Sequence, residues 1–356
     1  MHKKWIILLT TTLVAFAAKS SSAAVTLKQN WQAGQQLVYD TNIDGELNLQ
    51  IPSTVTSMIA GMPIEIALRG VGKTTLNTLK INDFGDGTVQ ASINPLSLEG
   101  ETFGQKVIVK VNNGTGVMTL NGAPQKGSFI DWNLFTNPPV ALTFSSQMKV
   151  TNVTSIKQAT STGTESSDPA VPTNIMAIVQ NLILQSLPAV LPTKSLNVGD
   201  QWTSDVQIKT SPAPNAAVFK LGSFQFELKD PKTMEGRSLQ HITVRGNIDL
   251  PSAQSKKLIS AFSPVDTNNS ADSSSKKSKM LGGMLANHLF SLGQSVEGDL
   301  YFDTQAGHFV QADLNLNSEM QTIPDTTEPS QPDGFLNFKG TVRFKLAQVL
   351  ATKTTP

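Results

Sequence analysis

The sequence predicts a mainly β protein of the α+β class. The expected architecture is a strongly curved antiparallel sheet or half-barrel, built from two tandem related β-units. Two or three helices are expected on or in the sheet. Three observations predict it. Long runs alternate apolar and polar residues, which is the period of a half-buried antiparallel strand. Gly, Asn and Asp clusters separate those runs where hairpin turns are needed. The order of parts also repeats: Trp31-Gln32-Ala33-Gly34-Gln35-Gln36-Leu37 opens one series, and Leu196-Asn197-Val198-Gly199-Asp200-Gln201-Trp202 opens another. Two arrangements satisfy this pattern, one continuous highly curved sheet or two packed half-barrels.

The first unit spans 25–157. Leu37 to Ile51 alternates, with Leu37, Tyr39, Thr41 and Ile43 on one face and Asp40, Asn42 and Asp44 between them. Ile64 to Leu68 and Leu76 to Ile81 are further strand-like stretches. Asp83 to Gly87 turns the chain into Thr88 to Ile93. Gly104-Gln105 leads into Val107 to Val111, then the turn Asn112-Asn113-Gly114-Thr115-Gly116, then Val117 to Leu120. Asn-Gly favours such hairpins because both central residues tolerate positive φ. Val140 to Val153 reads as one further long strand.

The second unit spans 195–351. Trp202 to Thr210 and Ser223 to Lys229 are strand-like, with a turn over Asp230 to Gly236 and a return over Leu239 to Leu250. Gly293-Gln294 opens Ser295 to Phe302, matching Gly104-Gln105. Asp303 to Gly307 turns into Phe309 to Leu316, and Phe335 to Leu350 closes the series. Residues 158–194 form a linker and helix, 262–293 an inserted loop and helix, and 352–356 a tail. The helix Asn174 to Leu187 is apolar nearly all round, capped by Thr173 and stopped by Pro188. A second helix is expected over Lys279 to Leu292, and one helical turn over Ser57 to Met62.

Residues 1–24 have the form of a secretory signal. His2, Lys3 and Lys4 precede an apolar stretch, Trp5 to Ala18, and small residues follow at Ser20 to Ala24. That stretch is short for a bilayer span of roughly 20 residues, so cleavage after Ala23 or Ala24 is expected. The chain is then exported, to the periplasm or beyond a bacterial envelope, with no transmembrane helix after the signal is removed. There is no cysteine, so neither a disulfide nor a lipidated N-terminal cysteine is available.

Charged residues are 15% of the chain, against roughly 25% in ordinary soluble domains. Of 28 basic and 27 acidic residues, the leader takes Lys3, Lys4 and Lys19 and no acid, so the balance becomes −2. Such a balance offers nucleic acid no attraction.

The residues also argue against catalysis. His241, His288 and His308 stand alone in sequence, with no acid at ligand spacing. No Gly-x-Ser-x-Gly elbow appears. Gly70-Val71-Gly72-Lys73-Thr74-Thr75 ends like a phosphate loop, but Ala67 stands upstream and a strand follows. Carboxylate pairs such as Asp83 with Asp86, or Asp299 with Asp303, fit turns. The chain reads as a non-enzyme with no cofactor and no metal. Trp132, in Asp131-Trp132-Asn133-Leu134-Phe135, is the aromatic cluster best placed to face outward.

The alternating strands, the interposed apolar helices and the opening Val198-Gly199-Asp200-Gln201-Trp202 resemble exported half-barrel carriers. These are the periplasmic lipoprotein-carrier fold and its mycobacterial lipid-binding relatives; the same phrase is similar to one in uncharacterised exported bacterial proteins. The resemblance is one of pattern over most of the mature chain. It implies a curved sheet wrapped round an apolar cavity, with helices as the lid. The expected function is that of an exported envelope protein that binds or carries an apolar ligand such as a lipid or acyl chain. The alternative is a structural or interaction protein of the envelope, with a protein partner and no small-molecule ligand. The candidate cavity lining is Ile175, Ile178, Val179, Leu182, Met280, Leu281, Met284, Leu285 and Phe290, since Met and aliphatic side chains adapt to such ligands.

Overall fold

The computed structural model describes residues 24–50, 63–102, 104–125, 136, 140–155, 191–209, 218–251, 288–324 and 337–349. The regular elements among them are all strands. A first meander runs through β1 (Gln36–Gln50), β2 (Pro63–Ile81), β3 (Gly87–Thr102), β4 (Gln105–Asn112), β5 (Thr115–Leu120) and the short β6 (Ala123–Pro124). A side hairpin follows, β7 (Val140–Phe144) and β8 (Val150–Ser155). A second meander runs through β9 (Gln201–Lys209), β10 (Val218–Met234), β11 (Arg237–Leu250), β12 (His288–Asp303), β13 (His308–Pro324) and β14 (Asn337–Gln348).

The two meanders form one antiparallel sheet because β1 pairs with β14 over Tyr39 to Gln50. The strand order is β6-β5-β4-β3-β2-β1-β14-β13-β12-β11-β10-β9, and the ring is not closed. Of the two arrangements the sequence allows, the chain adopts the continuous sheet. Strand β3 forks: Gly87 to Val89 pair with β7, and Leu96 to Thr102 pair with β4.

The alternation in each strand becomes rows across the sheet. One row runs Met118, Val109, Leu98, Gly70, Ile43, Phe344, Leu314, Gly298, Val244, Phe226 and Trp202, one residue from each successive strand. The opposite face carries the charge, with ion pairs Arg69–Asp44, Lys73–Asp40, Lys220–Asp205 and Arg343–Asp313. The period of two forces this division, since neighbours in a strand point to opposite faces.

The main core sits on the apolar face of β9–β13. Phe226, Leu228, Ile242, Leu250 and Phe302 are almost wholly buried there. Three further segments pack into it: Val25 and Leu27, Leu191 and Leu196, and Met148 of the β7–β8 turn. The position of Met148 reports the curvature. Six inter-strand steps separate β7 from β12 through β3, β2, β1, β14 and β13. At about 4.8 Å per step a flat sheet would hold them about 29 Å apart. Yet consecutive residues Gln29 and Asn30 bond to Ser146 of the β7–β8 turn and Gly307 of the β12–β13 turn, which requires the sheet to curl with its apolar face inward.

The curl is held at one end by an N-terminal strap. Val25 and Leu196 exchange backbone hydrogen bonds of 2.8 Å. The Gln29 amide donates to the Ser146 carbonyl, and the Asn30 amide to the Gly307 carbonyl. Trp31 stacks on Phe144 and donates its indole N–H to the Ser145 carbonyl. The strap thus ties the side hairpin of the first meander to the strand entry and the β12–β13 turn of the second.

The paired glycine openings are equivalent in structure. The Gly34 amide donates to the Thr78 carbonyl of β2 and the Thr78 amide to the Gln35 carbonyl. The Gly199 amide donates to the Leu228 carbonyl of β10, and the Leu228 amide to the Asp200 carbonyl. Both glycines have positive φ, 73° and 91°. The Asn113-Gly114 hairpin adopts the expected left-handed pair, φ 48° and 80°. The tryptophans are not equivalent, since Trp31 precedes its glycine and Trp202 follows its own, stacking on Phe226.

Four expectations change. Val140 to Val153 is two strands, because Ser145 accepts the Gln147 and Lys149 amides through its hydroxyl and turns the chain. No glycine or proline marks that turn, so the alternation reads through it. The turn over Asp230 to Gly236 narrows to Glu235-Gly236, and β10 carries a bulge between Lys229 and Lys232. Gly293-Gln294 lies inside β12, paired with Asp249 and Ile248, and opens nothing. Of the helix expected over Lys279 to Leu292, the last five residues are strand. His288 to Leu292 pair with Pro324 to Met320, and that ladder overrides a helical spacing of Leu, His and Phe. The helices over Asn174 to Leu187 and Ser57 to Met62, and residues 279–287, lie outside the described residues, as do the leader through Ala23, residues 156–190 and the tail.

Candidate functional site

The apolar face is filled unevenly. Over β9–β13 its side chains are buried in the core. Over β14, β1, β2, β3 and β4 the same rows are half-buried: Val342 and Phe344, Ile43 and Leu47, Ile66 and Leu68, Leu98, and Val107 and Val109. Toward the strap end Leu37 and Tyr39 of β1 and Val89 of β3 are buried, and Leu96 and Val111 form a small buried cluster with Ile93, Leu98 and Val109 against it.

A cleft of about 840 Å³ crosses the sheet from β11 to β2. That is within the range of pockets that hold small ligands, roughly 300–1,000 Å³. Its lining is one transverse band. Leu47, Ile66 and Ile248 supply apolar groups, and Gln294, Ser318 and Gly340 lie in the same rows. The residues flanking each of these also line it, among them Glu46, Glu65, Asp249, Glu319 and Lys339. The Gln294 amide donates to the Ser318 hydroxyl at 3.2 Å, a neutral polar spot between apolar neighbours. Gly340 keeps the band open to its neighbour, since a Cβ there would lie 2.6 Å from the Leu47 side chain.

Several polar groups nearer the strap end of the apolar rows pair internally, although Gln35 Oε1 and Gln348 Oε1 have no partner among the described residues. The Thr41 and Thr74 hydroxyls share a 2.6 Å hydrogen bond. The Tyr39 hydroxyl donates to the Phe309 carbonyl at 2.8 Å, and burial pushes its phenol well above the ordinary range. His308 receives the Gln348 amide at Nε2 and faces the Ala306 carbonyl with Nδ1, which fits the neutral tautomer protonated at Nδ1.

His241 has an acid partner that the sequence spacing did not show. Its Nε2 donates to Asp299 Oδ1 at 2.5 Å, across a diagonal of the β11–β12 ladder. Its ring stacks on Tyr301 at 5.1 Å, and Lys232 reaches the Tyr301 hydroxyl at 3.2 Å. A smaller polar cleft of about 490 Å³ lies beside Asp299, lined by Gln201, Gln225, Glu227, Lys229, Thr243 and Arg245. Lys229 holds the Glu227 carboxyl below its usual range through a direct hydrogen bond. Among the described residues no group of three His, Asp or Glu side chains could hold a metal ion.

The expected cavity lining fares differently. Ile175, Ile178, Val179, Leu182, Met280, Leu281, Met284 and Leu285 lie outside the described residues. Phe290 is in β12, opposite Thr322, and not on a helix. The cleft residues were missed because each is an ordinary strand position. What brings them together is the register of six strands, and the β1–β14 pairing joins residues about 300 positions apart.

No family model matches the chain, and no curated protein does. Among solved structures, DynF from the dynemicin biosynthesis pathway of Micromonospora chersina is similar at 8% identity and TM-score 0.20. The match covers 94% of this chain and 90% of that one. OccK2 (OpdF) of Pseudomonas aeruginosa is similar at 7% identity and TM-score 0.20, covering 91% of this chain and all of that one. OccK11 (OpdR) of the same organism gives 8% identity and TM-score 0.21, again covering 91% and 100%. Likenesses at that level carry no structural argument. The class defined by this chain's own geometry is an open antiparallel sheet curled round an apolar face.

Proposed function

We propose that this chain is a non-enzymatic exported envelope protein that binds or carries an apolar ligand, a lipid or acyl chain, against the apolar face of its curled sheet. One observation carries the reading. Away from the strap end, the apolar rows of β14 and β1–β4 are half-buried at Phe344, Ile43, Leu47, Ile66, Leu68 and Leu98, and they run into a cleft of lipid-binding size. The charged rows lie on the other face, the reverse of a transmembrane barrel, whose apolar band faces outward. Native mass spectrometry of the protein purified from its own host tests the reading. A bound lipid mass that is lost on extraction with organic solvent, and uptake of the fluorophore 1-anilinonaphthalene-8-sulfonate by the extracted protein, are the expected results. A lipid-free mass with no fluorophore uptake would overturn it.

A structural or interaction role draws on a different observation. Phe84 is 90% exposed at the tip of the β2–β3 turn, with Leu79 also exposed nearby. Under that reading Phe84→Ala abolishes recovery of a defined envelope partner and leaves lipid content unchanged.

A further inference from the structure

Resting on the apolar-ligand reading, we propose that the Gln294–Ser318 pair is the head-group site of the apolar face. It selects amphiphiles with an uncharged, hydrogen-bonding head over those with an ionised one. The pair lies in a single cross-strand row. Ile248, Gln294, Ser318, Gly340, Leu47 and Ile66 stand opposite one another on six successive strands, from β11 through β12, β13, β14 and β1 to β2.

Gln294 and Ser318 are the two polar side chains of that row. The next positions on the same face are apolar: Val296 and Leu316 toward the strap end, Leu292 and Met320 on the other side. Val296 is buried and the other three are half-buried. The pair's own hydrogen bond, 3.2 Å long, uses one amide N–H and the hydroxyl oxygen. The second amide N–H, the amide carbonyl and the hydroxyl proton have no other partner among the described residues. In either orientation of the amide, a donor and an acceptor stay free side by side. That set matches an ester, amide or glycerol head.

This face brings no counter-charge to the pair. Glu319, Asp249, Glu46, Glu65 and Lys339 adjoin the row within their strands, so they project from the opposite face. An ionised head laid on the pair loses water and gains only neutral hydrogen bonds, which do not offset that loss. A neutral head loses less and has its donors and acceptors met. The tail then runs across the strands from Ser318 over Gly340 to Leu47 and Ile66. Three inter-strand steps make about 14 Å along the sheet, a path for a medium-length acyl chain. Gly340 keeps that path low, because the Leu47 side chain rests 2.6 Å from where its Cβ would be.

The test measures displacement of the uncharged fluorophore N-phenyl-1-naphthylamine from the mature full-length protein. Three probes of one alkyl length compete, each below its aggregation threshold: monolauroylglycerol, dodecyltrimethylammonium and dodecyl sulfate. Monolauroylglycerol should bind about tenfold more tightly than either ionic probe. Gln294→Leu combined with Ser318→Ala should weaken monolauroylglycerol about tenfold and bring the three probes level. The fluorophore's own affinity and the thermal midpoint should hold in that variant, since both polar partners become apolar together. Ile66→Ala, at the tail end, should weaken all three probes by a common factor. If the fluorophore binds but an ionic probe matches or exceeds monolauroylglycerol, the head-group site falls and the carrier reading stands. The same follows if the double variant keeps the parent's order. If neither the fluorophore nor any probe binds, the carrier reading falls and takes the site with it.

Discussion

Replacing Leu27 by Ala tests whether the strap holds the curl. Leu27 is 1% exposed and packs in the main core with Leu191, Leu196 and Phe226. Removing three buried carbons leaves a cavity bounded by strands that belong to other parts of the sheet, so the site has little freedom to collapse. Leu→Ala at such positions costs about 2–5 kcal/mol, and a value near the middle, about 3 kcal/mol, is expected. The assay is urea unfolding followed by tryptophan fluorescence, with Trp31 in the strap and Trp202 in β9 as reporters. With a slope of about 3 kcal/mol per molar urea, typical of larger chains, the midpoint falls by about 1 M. Protection of the Gln29 and Asn30 amides from hydrogen exchange should fall with it, since both donate across the strap. Phe84→Ala is the control: it is 90% exposed and should change stability by no more than about 0.5 kcal/mol. A Leu27→Ala midpoint indistinguishable from that of Phe84→Ala would refute the strap's role.

Three other outcomes follow from the same geometry. Gly87→Ala should lower the thermal midpoint by the equivalent of about 1–3 kcal/mol, because a Cβ there would sit 2.5 Å from Trp31 Cγ, on a ring already stacked against Phe144. Tyr39→Phe should cost about 1–3 kcal/mol by stranding the Phe309 carbonyl. It should also remove part of the alkaline loss of stability. The unfolded chain ionises this phenol near pH 10 while the folded chain keeps it protonated, so stability falls as pH rises above that value. Asp313→Asn should destabilise at pH 7, because Arg343 grips the carboxylate at 2.9 and 2.8 Å and holds its pKa down. A depressed carboxyl stabilises above its unfolded pKa of about 3.9 and loses that effect as pH falls through the folded value. The gap between variant and parent, read from denaturation curves, should therefore close in acid.

Much of the local structure was legible in the sequence. Tyr39, Thr41 and Ile43 alternate with Asp40, Asn42 and Asp44, and that alternation is β1. Asn113-Gly114 and the Asp303 to Gly307 turn fall where their chemistry places them, the latter with Asp303 Oδ1 accepting the Gln305 and Ala306 amides. The failures have local causes. Ser145 to Lys149 makes a turn from a side-chain hydroxyl, which alternation does not report. His288 to Leu292 has a spacing that fits a helix and pairs as a strand. The candidate site was least legible, because Leu47, Ile66 and Ile248 lie on three strands and none carries a signature. His241 and Asp299, 58 residues apart, become partners only once the β11–β12 register is known.

The sequence by itself determined the strand-forming segments, the face that each strand buries, the tight hairpins and the paired glycine turns. These follow from period, turn chemistry and backbone freedom, which act within a few residues. Tertiary structure decided the rest. It joined β1 to β14 and so chose one continuous sheet, split the pairing of β3 between β7 and β4, and drew Met148 and Leu27 into a core built on other strands. Each of those choices rests on register and packing between segments far apart in the chain. Their free energy comes from burying apolar rows against one another, and no single stretch of sequence contains both surfaces.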